Sequence, residues 1–218
     1  MKKDYWIERW ERGETGFHQN EINPYLIRHW HDVRPTQGRK VFVPLCGKSQ
    51  DMLWLHGQGY SVLGVELSAI ATQAFFTEFG YIPHKTIGVK FDQYEADGIT
   101  ILCGDFFNLA KDALAGVSVV YDRASLVALP PEMRERYVHH LVNLLPSETQ
   151  ILLITFDYPQ HKMNGPPFAV STTEVTALYS DHADIKLLSQ HDVLAQNPRF
   201  QERGLSRLQE SIFLLTLH

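Results

Sequence analysis

Apolar and polar positions alternate in two rhythms along this chain, and the change of rhythm marks out its elements. Continuous, largely β-branched runs at residues 41–43, 62–65, 117–121 and 151–156 have the length and composition of strands buried on both faces. Between them, apolar residues recur three and four apart. Met52, Leu53 and Leu55 do so within residues 50–58, Ala71, Phe75 and Phe79 after Ser68, and Met133, Tyr137, Leu141 and Leu144 after Pro130-Pro131. That spacing predicts helices with one buried face. Asn23 and Ser68 can cap helix starts, Pro24 and Pro131 suit a first helical turn, and Gly80 suits a stop. Ser171 with Glu174 three residues on reads as a capping box. Residues 87–95 and 99–103 read as strands joined by a hairpin at Ala96-Asp97-Gly98, and residues 185–190 and 209–217 as a last pair of strands. Before the first strand, residues 3–12 read as a short helix with Trp6 and Trp10 on one face. A second helix from Asn23-Pro24 carries Leu26, Ile27, Trp30 and Val33 and stops at Arg34-Pro35, after which Gly38 and Arg39-Lys40 lead into the sheet.

Strands that alternate with helices predict a mostly parallel α/β sheet with helices on both faces. Two successive strands at the end predict an antiparallel hairpin added to the sheet edge. No repeat, low-complexity tract or linker divides the chain. We therefore expect one domain over residues 1–218, with residues 1–36 as an N-terminal helical cover.

Composition narrows the classes. With 218 residues, 44% of them hydrophobic and 21% charged, the chain can bury the core of an ordinary globule. A formal net charge of −5 argues against nucleic acid or an anionic membrane as partner, since either needs a basic face. Two cysteines, Cys46 and Cys103, form no disulfide framework and suit a reducing compartment. The N-terminal segment is charged throughout, and no apolar run approaches the ~20 residues of a membrane helix. The expectation is a cytoplasmic protein, monomeric by default, acting on a small molecule.

The candidate chemistry sits where strands end. Residues 41–43 run into Pro44-Leu45-Cys46-Gly47, and a helix follows, which is how open α/β sheets build a nucleotide pocket. Glu66 ends the next strand 21 positions after Leu45, close to the ~20-residue spacing of a carboxylate that holds a ribose. It reads equally as a solvated glutamate at a strand end. Trp6 and Trp10 read either as packing or as indole faces laid over a pocket. Cys46 reads as a small apolar residue in a tight turn rather than a nucleophile, because no base is assigned to it. His29-Trp-His31 and His139-His140 lack the spacing of a recognised metal site, so no metal is expected.

These residues taken together resemble the bacterial-type thiopurine S-methyltransferases, and the likeness runs nearly end to end. It is carried by Trp10 through Thr15-Gly-Phe-His-Gln19, Val43-Pro-Leu-Cys-Gly-Lys48, Gly64-Val-Glu-Leu-Ser68, Tyr121-Asp-Arg-Ala124, Tyr137 and Gly165-Pro-Pro-Phe168. The resemblance implies a seven-stranded Rossmann-like methyltransferase sheet that binds S-adenosyl-L-methionine and passes its methyl group to the sulfur of a thiopurine or related aromatic thiol by in-line displacement. Carried over by position, Leu45 would lie beside the methionine and ribose, Glu66 would accept the ribose hydroxyls, and Asp105 and Phe106 would flank the adenine. Trp6 and Trp10 would close the cofactor, and Phe17 would cover the acceptor ring. Arg123 would face both cofactor and acceptor and stabilise a thiolate, unless an ion pair with Asp122 or Glu66 occupies it. Arg199 would be a second acceptor-side arginine. Arg123 through water, or Asp122, would take any proton. Selenium or tellurium species are an alternative acceptor class within the same fold. A nicotinamide-dependent dehydrogenase is disfavoured by the single glycine in the first turn, and a non-catalytic cofactor-binding module would bind without transferring methyl.

Overall fold

A computed structural model of the protein describes residues 3–34 and 40–218, so Pro35, Gly38 and Arg39 lie outside the described residues. Among the described residues nine strands form one sheet: β1 (Lys40–Val43), β2 (Ser61–Glu66), β3 (His84–Thr86), β4 (Asp92–Ala96), β5 (Ile99–Cys103), β6 (Val117–Asp122), β7 (Gln150–Asp157), β8 (Ala183–Asp192) and β9 (Gln209–Leu217). Their spatial order is β3-β4-β5-β2-β1-β6-β7-β9-β8. The five strands from β5 to β7 are parallel, and β9 pairs antiparallel with β7 and with β8. The edge hairpin is therefore present, with α8 (Pro198–Glu202) in the connection between its strands.

Two of the strands go beyond the expected seven. Residues 87–91 are not strand, and the chain doubles back there so that β3 pairs with β4 at the sheet edge. The turn is tight: a Cβ on Gly88 would lie 2.4 Å from the Phe91 carbonyl oxygen. Lys85 closes the hairpin on Asp92 at 2.9 Å. Ile87 and Val89 gave the run its strand-like look, yet both are exposed. The Asp97-Gly98 turn is as expected, with φ of 46° and 75° at the two positions, which matches the right-handed twist of the paired strands.

Both faces of the sheet are covered, so successive side chains on one strand enter different cores. Val41 and Val43 join Tyr121, Ile154 and Ile212 on one face, and Phe42 joins Leu63, Val120 and Leu153 on the other. The helices start where the caps predict. Asn23 accepts from the Tyr25 N–H at 2.8 Å at the start of α2 (Pro24–His29), and Ser68 accepts from the Ala71 N–H at 3.3 Å at the start of α4 (Ala69–Glu78). The capping box at α7 (Thr172–Tyr179) is half made. Ser171 accepts from the Glu174 N–H at 3.2 Å, but the Glu174 carboxylate turns to Arg134 of α6 (Pro131–Leu144). Among the described residues no helix is long and apolar enough to cross a membrane.

The chain leaves β1 toward β2 on one side and reaches β6 on the other. The reversal opens a crevice at the carboxyl ends of β1 and β6. The turn that follows β1 is fitted there by an absence in β2: a Cβ on Gly64 would lie 2.7 Å from Cys46 Sγ and 3.3 Å from Met52 Sδ. Gly64→Ala should therefore destabilise the fold by about 1–3 kcal/mol through overpacking. Urea denaturation measures this, and adding Cys46→Ala should recover part of the loss.

Candidate active site

At that crevice lies a cavity of about 490 Å³, within the usual 300–1,000 Å³ of small-molecule sites. The turn after β1 supplies Leu45 to its wall. Leu45 has φ +47° and Gly47 φ +54°, and the Cys46 N–H donates to the Val65 carbonyl at 3.0 Å, which folds the turn back over β2. Glu66, at the end of β2, accepts from the Gly47 N–H at 2.8 Å through Oε2 and from the Ser68 N–H at 2.7 Å through Oε1. Burial raises its pKa, and these N–H groups oppose the rise. The Leu67 N–H also acts on it, so a carboxylate with about four acceptor positions keeps one open on a residue that lines the cavity.

The next strand ends bring in Asp105 and Phe106. Asp105 accepts from the Phe107 N–H at 3.1 Å, while Phe106 is buried against Tyr137 with ring centres 4.8 Å apart. From the N-terminal side, α1 (Lys3–Glu11) brings Trp6 and Trp10, and the loop after it brings Phe17 edge-on to both indoles at 5.3 and 5.5 Å. Trp10 also rests on the turn, because a Cβ on Gly47 would lie 3.5 Å from its ring. Arg199 of α8 donates to the Gly16 carbonyl and so ties the C-terminal connection to the N-terminal loop. Burial and the neighbouring Arg203 lower its pKa. Trp6, Trp10, Phe17, Leu45, Glu66, Asp105, Phe106, Arg123 and Arg199 all line this one cavity.

Two expectations are corrected. The ion pair of Arg123 is with neither Asp122 nor Glu66: its Nη1 lies 3.8 Å from Asp51 Oδ2. Asp51, at the first residue of α3 (Asp51–Gly57), is buried and also accepts from the Asn23 N–H at 2.8 Å and the Tyr121 hydroxyl at 2.9 Å. Arg123 is held by that group and still lines the cavity. Asp122, a candidate proton acceptor, is not on the cavity wall. Its side chain is fully buried behind the wall residue Tyr137, accepting from the Tyr137 hydroxyl at 2.6 Å and the Ser125 N–H at 3.0 Å. Burial raises its pKa, and those donors counteract it.

Other wall residues carried no functional reading in the sequence. Pro166 and Pro167 line the cavity, and the loop that bears them is fixed by the Phe168 N–H, which donates to the Val127 carbonyl at 2.6 Å. Behind it, Arg134 is 1% exposed and donates to the Leu126 carbonyl at 3.2 Å, the Leu129 carbonyl at 3.0 Å and the Glu174 carboxylate. It lies outside the apolar register of α6, so only the diversion of Glu174 from its cap marks it. His29 uses one ring nitrogen on Asp32 at 3.1 Å and the other on Ser189 at 2.8 Å. Among the described residues no group of three His, Cys, Asp or Glu is placed to hold a metal. Burial pushes the Cys46 thiol well above its ordinary value.

The family model for thiopurine S-methyltransferase matches residues 1–218. A thiopurine S-methyltransferase of Nitrosospira multiformis is 66% identical over 215 residues, covering 99% of this chain and 98% of that protein. One from Pseudomonas paraeruginosa is 50% identical over 215 residues, covering 99% of each. Among solved structures, an S-adenosylmethionine-dependent methyltransferase of Anabaena variabilis superposes with a TM-score of 0.64 at 15% identity, over 99% of this chain and 95% of that one. A geranyl diphosphate C-methyltransferase of Streptomyces coelicolor reaches 0.60 at 13% identity, over 88% of this chain and 76% of that one. At these identities the likeness to the solved structures is one of fold.

Because Asp122 is buried and does not line the cavity, Asp122→Asn should lower stability and spare the chemistry. We expect about 1–3 kcal/mol of destabilisation from the altered buried hydrogen bonds, with turnover of the folded variant reduced only a few-fold. A much larger fall in turnover at native stability would return Asp122 to the reaction.

Proposed function

The chain belongs to the thiopurine S-methyltransferase family, and from that premise we propose that its cavity transfers the methyl group of S-adenosyl-L-methionine to the sulfur of thiopurines or related aromatic thiols. The observation that carries the assignment of roles is the meeting of Glu66, the Trp6–Trp10–Phe17 cluster and Arg123 in one cavity. The cavity fits such a cofactor in donor set as well as volume. An acceptor position of Glu66 remains for a ribose hydroxyl, and the acidic and apolar pair Asp105 and Phe106 suits an adenine. The indoles of Trp6 and Trp10 present ring faces that attract a sulfonium. When bound, S-adenosyl-L-methionine supplies a methyl group activated by a positively charged sulfur.

The chain's own residues would do the rest by positioning. Phe17 covers the acceptor ring, Arg123 and Arg199 favour the acceptor as its thiolate, and the aromatic cover excludes water. A thiolate is already a good nucleophile, so alignment of the reacting atoms supplies most of the acceleration and no strong base is needed. Asp122 has no part in this account. Residues 1–36 act as the cover of a single catalytic unit, and the two unpaired cysteines suit an enzyme of the reducing cytoplasm.

Transfer of a labelled methyl group from S-adenosyl-L-methionine to 6-mercaptopurine, with selenite and an aliphatic thiol alongside, tests the acceptor. Rapid labelling of the thiopurine is expected, and Arg123→Ala should lower turnover by about tenfold or more, the loss of a charge-assisted hydrogen bond, while cofactor affinity changes less. No labelling of any thiol by protein that binds the cofactor would remove the acceptor assignment. Glu66→Gln keeps one carbonyl acceptor for the Gly47 turn and should weaken S-adenosylhomocysteine binding by about 1.5–3 kcal/mol. Unchanged affinity by calorimetry would take Glu66 out of the cofactor site.

A further inference from the structure

Beyond its ion pair with Asp51, the Arg123 charge reaches a second acid at longer range. Glu210 of β9 is buried, at 8% exposure, and Arg123 is the opposite charge that acts on it. Its register partner on β7 is Phe156, which lines the cavity, so Glu210 stands one cross-strand pair from the cavity wall. Alternation along β9 puts it on the face of Leu208 and Ile212, which is the face of Tyr121, Tyr25 and Phe200.

The groups around it can be named element by element. From β8 comes His191, directly opposite Glu210 in register, with its Nε2 buried and without a hydrogen-bond partner among the described residues. From α2 comes Tyr25, stacked on His191 at 5.0 Å and itself under the Arg28 guanidinium at 5.8 Å. Burial raises the pKa of Tyr25 and of Tyr121 on β6, and the Glu210 charge adds to both. The N-terminal loop brings His18 within the field of Arg123 and Asp51. Nothing else in this set carries a hydrogen bond to the Glu210 carboxylate. Asp51 has two donors beside the arginine, so the two acids flanking Arg123 differ in kind.

We propose that Glu210 is a positioning residue that sets how much of the Arg123 charge is available to an anionic acceptor, and that it takes up a proton when the acceptor thiolate binds. Uncharged, Glu210 leaves Arg123 shared only with Asp51, and the guanidinium field acts on the cavity. Charged, it claims the same guanidinium and repels the thiolate. The inference rests on the reading of Arg123 as the acceptor-side cation. It is consistent with a Glu210 carboxyl pushed up by burial to about 7, with Arg123 pulling it down, which puts the change of charge near neutrality.

The sign of the linkage is fixed. A bound anion disfavours the charged carboxylate, so binding raises the Glu210 pKa and draws in a proton, and affinity falls as pH rises through the free-state value by up to about tenfold per pH unit. The probe is an aromatic thiol with electron-withdrawing substituents, ionised across pH 6–9, titrated into the S-adenosylhomocysteine complex. Calorimetry at pH 7.5 in two buffers of different ionisation enthalpy should show uptake of a fraction of a proton by the unaltered protein. Glu210→Gln should abolish that uptake and flatten the affinity between pH 6.5 and 8.5. Methyl transfer to the same thiol should follow, with the alkaline fall in kcat/KM lost in the variant.

Binding without proton uptake in the unaltered protein would overturn the proposal whether or not the variant folds, and so would an unchanged pH dependence in Glu210→Gln. Failure of the thiolate to bind at any pH would overturn it as well. The 6-mercaptopurine assay then distinguishes the cases: labelling leaves the methyltransferase reading standing alone, and no labelling removes both.

Discussion

Glu66 accepts hydrogen bonds from two backbone N–H groups that belong to different loops, Gly47 after β1 and Ser68 at the head of α4. A buried carboxylate is tolerated only when donors satisfy it, and here the donors are the two loops that frame one end of the cavity. The demand runs both ways. The Gly47 N–H would be unpaired without Glu66, and Glu66 would be a bare buried charge without the positive-φ turn that aims this N–H at it. Gly64 belongs to the same constraint, since only a missing Cβ lets Cys46 pack under the turn. Leu45, Cys46, Gly47, Gly64, Glu66 and Ser68 thus fix one geometry between them.

A second node holds the opposite side. Asp51 gathers the Asn23 N–H, the Tyr121 hydroxyl and the Arg123 guanidinium, joining α2, α3 and the end of β6. Because α2 follows the loop that carries Phe17, this node ties the chain just after that loop to the end of β6. The Arg199–Gly16 hydrogen bond closes that loop from the other end of the chain. The two nodes are of opposite character: one brings a carboxylate to the cavity wall, the other a guanidinium.

How much of this could be read in the sequence depended on the range of each interaction. The parallel core was legible, because strands such as β6 and β7 are buried on both faces and are therefore largely apolar. Caps were legible because they act within three or four residues, as Ser68 on Ala71 does. Residues 87–91 misled because Ile87 and Val89 have strand chemistry in an exposed turn, where local propensity says nothing about burial. The Asp51 node joins residues 28 and 70 positions apart, and no spacing rule reaches that far. Asp122 and Arg123 were adjacent candidates for one site, yet a strand sends successive side chains to opposite faces. Arg123 lines the cavity, and Asp122 is buried behind its wall against Tyr137 and Ser125. The positions that line the cavity were largely found through a family motif, while the partners that hold them were not.

The separation of charge in the cavity has a consequence for the reaction itself. Methyl transfer from a sulfonium to a thiolate turns a cation and an anion into two neutral products, so charge is lost on the way to the transition state. In water, solvation of the separated ions opposes that loss. A wall of Trp6, Trp10, Phe17 and Phe106 gives ions little solvation and so favours the path along which they neutralise. That same wall would refuse the ions entry unless each met a specific partner. In the proposed arrangement indole faces would answer for the sulfonium, and Arg123 for the thiolate. A strongly stabilising arginine would work against its purpose by holding the thiolate too well, because interactions stronger in the ground state than in the transition state slow the chemical step. The sharing of Arg123 with Asp51, and with Glu210 when that is charged, is then a physical means of keeping the acceptor anion bound but reactive.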